Sequence, residues 1–121
     1  MSSLPGTWEM IRAELNGEHS SELLALRVEL ELTDDAYVVR FGGEIADRGT
    51  YQHDGVGPPG QFTLTGNHGP NAGRTIPCIY QHVGDRLRVC YGMDGERPRQ
   101  FTSAAGSAHY LATYRRKRSI E

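Results

Sequence analysis

A glycine-rich stretch of this sequence has the spacing that holds a dinucleotide in many cofactor-binding proteins. Residues 55–60 read GVGPPG and match the Gly-x-Gly-x-x-Gly pattern. In a dinucleotide site this pattern joins a buried strand to a helix, whose N-terminus binds the pyrophosphate. Here Pro58 and Pro59 remove two backbone N–H donors, and the following QFTLTG alternates like a strand without a helical period. The stretch therefore predicts a rigid loop between two strands, and no cofactor is expected.

The five histidines could bind a metal only if several of them met in space. They stand at positions 19, 53, 68, 82 and 109, and no His-x-x-x-His unit or Cys-x-x-Cys pair occurs among them. Zinc and iron sites need three or four such ligands. The favoured interpretation is that the histidines lie in loops or at strand ends and bind no metal. A metal or haem site built from histidines inside the fold is the alternative.

The two cysteines, Cys78 and Cys90, flank a VGD turn at residues 83–85 and could face each other across it. Pairing apolar with apolar residues across the hairpin places one row against another: Ile76, Cys78 and Tyr80 against Tyr91, Val89 and Leu87. Because side chains alternate, Cys90 then points to the opposite face from Cys78, and a disulfide needs Cβ atoms within about 4.5 Å. We expect two free thiols in the core. A thiol nucleophile is the less favoured alternative, since no partner stands at a recognisable spacing.

Length and charge restrict the elements that can position these residues. The chain has 121 residues, about one domain, so residues 1–121 are expected to form a single domain. Thirteen Lys and Arg against fifteen Asp and Glu give a net charge of −2, which favours neither nucleic acid nor an anionic membrane as a partner. The N-terminus has no signal-like stretch, and no run approaches roughly 18 apolar residues. A cytoplasmic location is expected, although a processed secreted protein would have the same sequence features.

Short alternating segments predict strands along almost the whole chain. In the clearest one, residues 26–33, the inward row is Leu26, Val28, Leu30 and Leu32. The pairs Asp34-Asp35 and Gly42-Gly43 then turn the chain into AYVVRFG and EIADRGTYQ. Further strands are expected at GTWEMIRAEL, QFTLTG, RTIPCIYQH, DRLRVCYG and AHYLATYRR. Only residues 20–26 offer a short helical turn, which begins at a serine cap.

About eight antiparallel strands in sequence favour an all-β fold, an up-and-down barrel. Closure into a barrel hides both edges of the sheet. A two-sheet sandwich is the alternative. An eight-stranded barrel is just wide enough to fill itself with side chains or to hold one small ligand. The GVGPPG loop then lies at the rim between the fourth and fifth strands, where it is a candidate lid.

Several segments together resemble a known family. GTWEMIRAEL, GTYQ, GPNAGRTI, IYQHVGDRLRVCYG, ERPRQF and GSAHYL follow in this order over nearly the whole chain. They resemble an uncharacterised family of small bacterial lipocalin-like domains, and Gly6-Thr7-Trp8 is similar to the Gly-x-Trp on the first strand of the wider lipocalin (calycin) superfamily. The resemblance implies a β-barrel in which a basic residue near the last strand, Arg115 or Arg116, packs over the indole of Trp8. It brings no established activity.

Inward tyrosines indicate where a pocket would lie. The chain has six Tyr against three Phe and one Trp. A core built only for stability favours aliphatic side chains and Phe, because a buried phenol needs a hydrogen-bond partner. An apolar face with a few polar groups is typical of a small-molecule pocket, and a satisfied structural core is the alternative. The candidate ligand-binding residues lie inward by alternation or at the inward edge of a strand: Tyr37, Tyr51, Phe62, Tyr80, His82 and Tyr91.

The remaining charged residues are interpreted as solvated. Arg40 and Arg88 are candidate counter-charges for an acidic ligand, but alternation places both outward. The terminal YRRKR (114–118) is too short, and too poor in aromatic residues, for a nucleic-acid or membrane patch, and a solubilising strand end is favoured.

Two classes of function are consistent with this sequence. The first is a lipocalin-like module that binds a small hydrophobic or aromatic molecule inside the barrel. The second is an isomerase or cyclase that acts on a hydrophobic metabolite in the same pocket and polarises it with Tyr or His. The expected partner is a small hydrophobic molecule, without nucleic acid or membrane, and the chain is expected to be a monomer or a homodimer.

Titration of the denatured, unreduced protein with a thiol reagent is expected to count two free thiols. The reason is that the hairpin register keeps Cys78 and Cys90 on opposite faces of the sheet. A parallel titration after reduction should give the same number. A count of zero before reduction would mean that the register is wrong by one residue.

Overall fold

The strands form one antiparallel sheet that closes on itself. A computed structural model of the chain describes residues 4–55, 57–104 and 106–117. In chain order, the elements within these ranges are β1 Gly6–Leu15, β2 Glu18–His19, α1 Ser21–Ala25, β3 Val28–Leu32, β4 Ala36–Phe41, β5 Glu44–Gly55, β6 Gly60–His68, β7 Thr75–Val83, β8 Arg86–Gly92 and β9 His109–Arg116. Apart from the two-residue β2, each strand pairs with the next and β9 pairs with β1. The predicted all-β, eight-stranded up-and-down barrel is confirmed, and the sandwich alternative is wrong.

The barrel has two ends, which the connections distinguish. The Trp8 end carries the segment before β1, the β3–β4 turn, the β5–β6 loop and the β7–β8 turn at Gly84-Asp85. The helix end carries α1, the β4–β5 turn at Gly42-Gly43, the β6–β7 loop and the start of the long β8–β9 connection. None of the helices in the described residues is long and apolar enough to cross a bilayer.

Trp8 closes its end of the barrel through contacts made by its indole ring. The indole N–H donates to the carbonyl oxygen of Leu4 at 2.9 Å, and the guanidinium of Arg116 lies 4.2 Å above the ring. The resemblance therefore predicted this contact correctly, and Arg116 rather than Arg115 makes it. Gly6 has a φ of +140°, and a Cβ at this position would collide with the Arg116 guanidinium. The glycine of the Gly-x-Trp motif thus leaves room for the cation.

The residues predicted to face inward along β3 do so, except Leu26. Val28, Leu30 and Leu32 are buried, but Leu26 is 44% exposed and lies at the C-cap of α1. The short helix α1 lies within residues 20–26, where a helical turn was predicted. Ser20 caps it, since its hydroxyl accepts a hydrogen bond from the Leu23 amide at 3.3 Å. A helix has no two-residue period, so strand alternation cannot be extended back through this segment.

The β7–β8 hairpin keeps the predicted parity but not the predicted pairing. Cys78 lies opposite Tyr91 and Tyr80 opposite Val89, a register two residues away from the expected one. A shift of two residues keeps every side chain on its face, so Cys78 points inward and Cys90 outward. Both cysteines are free and buried, as predicted. Because of burial, the pKa of the Cys78 thiol is raised well above its ordinary value.

The long β8–β9 connection crosses the outside of the barrel. We call its described residues, 93–104 and 106–108, the outer strap. Arg97 of the strap donates to the Cys78 carbonyl at 2.7 Å and pairs with Asp54 at 2.8 Å. A second, smaller core forms beneath the strap from Ile79, Cys90, Leu111 and Phe101. The strap explains why Cys90 is buried although it points away from the barrel interior.

The two arginines predicted to point outward do so. Arg40 pairs with Glu31 across β3 and β4 at 2.7 Å. Arg88 donates to the Gln81 side chain at 2.8 Å, and its guanidinium lies 4.2 Å from the ring centre of Phe101 in the strap. Neither faces the barrel interior, so neither is placed to pair with a ligand there.

We expect Leu30→Asp to prevent folding, because Leu30 is 2% exposed and a carboxylate there would be buried without a partner. Leu26→Asp is the matched control. It introduces the same charge into the same predicted row, but at an exposed position, and should change the free energy of unfolding by less than about 0.5 kcal/mol. Circular dichroism melts of both variants test this. A cooperative melt of Leu30→Asp near the wild-type temperature would contradict the inward placement.

Candidate functional site

A hollow opens at each end of the barrel. At the helix end lies a cavity of about 300 Å³, and at the Trp8 end lies a cleft of about 760 Å³ that reaches over the rim to Gln81 and to Arg99 and Phe101 of the outer strap. Among the described residues, none lines both. Along the inward row of β6, Gly60 lines the cleft and Leu64 the cavity, while Phe62 between them lines neither. A packed layer in the middle of the barrel therefore divides the interior.

The structure does not bring the six candidate residues into one site. Tyr37 and Tyr91 line the helix-end cavity, whereas Tyr51, Tyr80 and His82 line the Trp8-end cleft. Phe62 is 1% exposed and belongs to the dividing layer, where its ring stacks on Tyr80 at 5.2 Å. Alternation identifies the face on which a side chain lies but not its height along the barrel axis. For that reason the prediction placed in one site residues that lie in different hollows.

The helix-end cavity is mostly apolar and rich in aromatic rings. Its aromatic lining residues are Tyr37, Phe41, Tyr91, Tyr110 and Tyr114. The rings of Tyr91 and Tyr110 stack at 5.1 Å, and the hydroxyls of Tyr91 and Tyr114 are 2.7 Å apart. Tyr110 and Tyr114 were not among the residues predicted to line a pocket. Extending the two-residue alternation through β9 would have placed Tyr110, Ala112 and Tyr114 on one face, and in the structure Tyr114 lies opposite the buried Leu87 of β8.

One carboxylate reaches this cavity. Asp47 is 8% exposed, and its Oδ2 accepts a hydrogen bond from the Asn71 side-chain amide at 2.7 Å. Neither Asp47 Oδ1 nor the Tyr37 hydroxyl makes a hydrogen bond of normal geometry to a described residue, although the two groups lie near enough for the carboxylate to act on the phenol. Burial, and after it the nearby charge of Asp47, raise the pKa of Tyr37 to about 12. Tyr37 is therefore a protonated phenol at neutral pH, and it can still donate or accept a hydrogen bond.

A β-bulge determines which residues of β5 face inward. Val39 pairs with Asp47 but Arg40 pairs with Ile45, so the register shifts and residue 46 is extra. Asp47, Gly49 and Tyr51 then share the inward face, while Ile45 is 45% exposed. Counting back by twos from Tyr51 would have revealed Asp47 in the sequence. The bulge itself has no sequence signal that identified it.

The β6–β7 loop covers part of the cavity. Asn71 reaches Asp47 from this loop, and Arg74 Nη1 donates to the side-chain oxygen Oδ1 of Asn71 at 3.0 Å. A Cβ at Gly66 would collide with the backbone of Asn71, so the glycine allows the loop to fold this closely. On the other side the lining includes Leu15, Leu23 of α1 and Phe41, with Leu15 40% and Phe41 41% exposed. The cavity thus opens through an apolar rim.

The Trp8-end cleft is wider and more polar. His53 Nε2 and the Tyr80 hydroxyl are 2.6 Å apart, and the Tyr51 hydroxyl donates to the Thr33 carbonyl at 2.6 Å. Pro58 and Pro59 line the cleft. The GVGPPG motif is therefore a strand-to-strand loop at the rim, between the fourth and fifth strands of the barrel, as predicted, although its Val56 lies outside the described residues. A lid function for the loop stays a prediction.

The histidines do not converge on a metal site. His53 and His82 both line the cleft, but among the described residues no three His, Cys, Asp or Glu side chains are grouped so that they could hold an ion. His82 lies with its ring edge-on to Trp8 at 5.3 Å, and its Nε2 is 2.8 Å from the Gly84 carbonyl oxygen. The position of His82 at the inward edge of its strand agrees with the prediction, and its contacts there are structural ones.

Comparisons of the chain with protein-family models, with curated proteins and with solved structures found no match. The closed eight-stranded barrel is compatible with a lipocalin-like fold. Membership of the family that the sequence resembles stays a prediction.

We expect Asn71→Ala to lower the free energy of unfolding by about 1–3 kcal/mol, because it leaves the buried Asp47 carboxylate without its hydrogen bond. Asn67→Ala is the matched control at an exposed position of β6 and should change stability by less than about 0.5 kcal/mol. Chemical denaturation of the two variants measures the difference. Equal stabilities would show that the Asn71 contact is not needed to hold the loop.

Proposed function

We propose that this protein is a lipocalin-like binding module that holds one small hydrophobic or aromatic molecule in the helix-end cavity. The observation that carries the proposal is an apolar cavity of about 300 Å³ in which Tyr37 and Asp47 have polar atoms without a partner among the described residues. Small-molecule sites combine an apolar lining with a few polar groups that orient the ligand.

The size of the cavity limits the ligand. Its volume of about 300 Å³ lies at the lower end of the usual range for ligand pockets. An engineered protein cavity of about 150 Å³ binds benzene. A molecule with two fused rings, or one ring and a short chain, therefore matches this cavity better than a sterol or a long fatty acid.

A packed core is the competing interpretation, and the lining residues count against it. Val28, Val39 and Ala46 all line the cavity with short side chains. Unfilled apolar volume lowers stability, by about 24 cal/mol per Å³ in engineered core cavities. Larger residues at these positions would fill the space, so their absence supports a cavity kept for a ligand.

An isomerase is the second candidate, supported by the pair of Asp47 and Tyr37. A carboxylate that takes a proton and a phenol that donates a hydrogen bond to a developing oxyanion are a known combination for moving a proton next to a carbonyl. His82, which lies together with Tyr51 and Tyr80, lines the other hollow. Binding is the first proposal because it requires only the cavity.

The proposal includes membership of the lipocalin-like family, supported by the contact between Trp8 and Arg116 at one barrel end. A cytoplasmic location is proposed as well, supported by two free cysteines. A monomer or a homodimer without nucleic-acid or membrane partners is proposed for the assembly.

Binding of a neutral, environment-sensitive naphthalene dye tests the proposal. We expect one dye molecule per chain, with increased fluorescence. Val39→Phe should lower the dye affinity at least tenfold without lowering the melting temperature, because the larger ring fills cavity volume. Val38→Phe makes the same change on the outward face of β4 and should leave dye binding unchanged. No dye binding, or equal binding by both variants, would contradict a ligand site in this cavity.

A further inference from the structure

Inside the barrel, as far as the described residues show, the carboxylate of Asp47 has no cation beside it. Its carboxylate is buried, accepts its hydrogen bond from the neutral Asn71 amide, and forms no ion pair with any described residue. Of the described residues that line the cavity, none is a Lys, Arg or His. Burying a carboxylate without a cation is costly, and such groups are usually paired.

The nearest arginine of the covering loop is held away from this carboxylate. Arg74 uses one guanidinium nitrogen to bond the Asn71 side-chain oxygen at 3.0 Å and another to bond the Met93 carbonyl at 2.5 Å. It polarises the Asn71 amide but does not contact Asp47. Oδ1 of Asp47 therefore has no cationic partner among the described residues and only the phenol of Tyr37 near it, so it can accept a hydrogen bond from a charged group brought by a ligand.

The walls of the cavity also suit a cation. Aromatic rings attract cations to their faces through the ring quadrupole, and they bind organic ammonium groups in this way. Five aromatic side chains line this cavity, and the hydroxyl of Tyr37 close to Asp47 has no partner among the described residues. A protonated amine can bond a carboxylate oxygen and a phenol oxygen at the same time, because an ammonium has several N–H donors.

We propose that the ligand of the helix-end cavity is a small hydrophobic amine, bound as its ammonium form with Asp47 as counter-charge. This inference rests on the proposed binding function and specifies its ligand class. The ammonium lies between Asp47 and Tyr37, and the apolar body packs against the rings and against Leu30, Leu64 and Ile76. An organic acid of the same shape is repelled, and a neutral analogue leaves the carboxylate unpaired.

Three probes with one indole ring and different charge test the inference: tryptamine, 3-ethylindole and indole-3-propionate. Isothermal titration at neutral pH should give a tryptamine affinity at least tenfold higher than that of 3-ethylindole. Indole-3-propionate should bind more weakly than either. This comparison uses the wild-type protein alone, so it does not depend on the folding of a variant.

Asp47→Asn then assigns the preference to one carboxylate. It should lower tryptamine affinity at least tenfold and leave 3-ethylindole affinity within about threefold, because only the charged pair is lost. Asp85→Asn is the matched control, since it removes the same charge in the β7–β8 turn at the other end of the barrel. It should change neither affinity.

The outcomes separate this inference from the proposed function. If 3-ethylindole binds as tightly as tryptamine, or if Asp47→Asn keeps the preference for the amine, the amine is not the ligand class although the cavity binds ligands. A role of Asp47 limited to holding the Asn71 loop would give this result. If none of the probes binds and the naphthalene dye does not bind either, the proposed function itself fails.

Discussion

The pairing of β1 with β9 is the contact on which the rest of this structure depends. It joins the first and last strands, so no sheet edge is left open among the strands of the barrel. The stacking of Arg116 on Trp8 adds a cation–π contact between the same two strands at one end of the barrel. Without this closure the inward rows would face solvent, and neither hollow would exist.

Closure also explains why one barrel has two chemically different hollows. Eight strands enclose a space that side chains can nearly fill, so large inward residues at mid-height pack into a continuous layer. Phe62 and Cys78 are paired neighbours in this layer. In the cleft His53 and Tyr80 bond each other, and Nδ1 of His82 is a buried atom without a hydrogen bond to a described residue. The cavity combines a mostly apolar lining with a carboxylate oxygen and a phenol that make no hydrogen bond of normal geometry to a described residue, which makes it the stronger candidate for ligand binding.

The sequence predicted correctly on which face of the sheet a side chain lies, but not its height along the barrel axis. Alternation identified the inward side of β3 and β7, and the parity of the two cysteines survived a register error of two residues. It failed at Leu26, because a capped helical turn interrupts the strand period there. It could not show that Tyr37 and Tyr80 lie in different hollows, since strand stagger around a closed barrel depends on every register together.

The residues of the candidate site that were not predicted from the sequence lie in a loop and beside a β-bulge. Asn71 reaches Asp47 from a loop whose path depends on two backbone contacts of Gly66 and Gly69. Asp47 shares the inward face with Gly49 and Tyr51, and the bulge beside it turns Ile45 outward, so the alternation does not continue to the start of the strand. Side chains that belong to loops acquire their place only when the whole barrel has formed, and a local pattern carries no signal for that.

The outer strap has a consequence for the behaviour of the protein at high concentration. Ile79 and Leu111 point away from the barrel interior, where alternation calls for polar residues, and with Cys90 they are buried beneath the strap, from which Phe101 packs against them. Detachment of the strap would uncover a contiguous apolar patch on strands whose pairing is otherwise intact. Such patches promote self-association of folded proteins. The hydrogen bonds of Arg97 to the β6 and β7 backbone therefore protect colloidal stability as well as local packing, and weakening them would show first as aggregation of folded barrels.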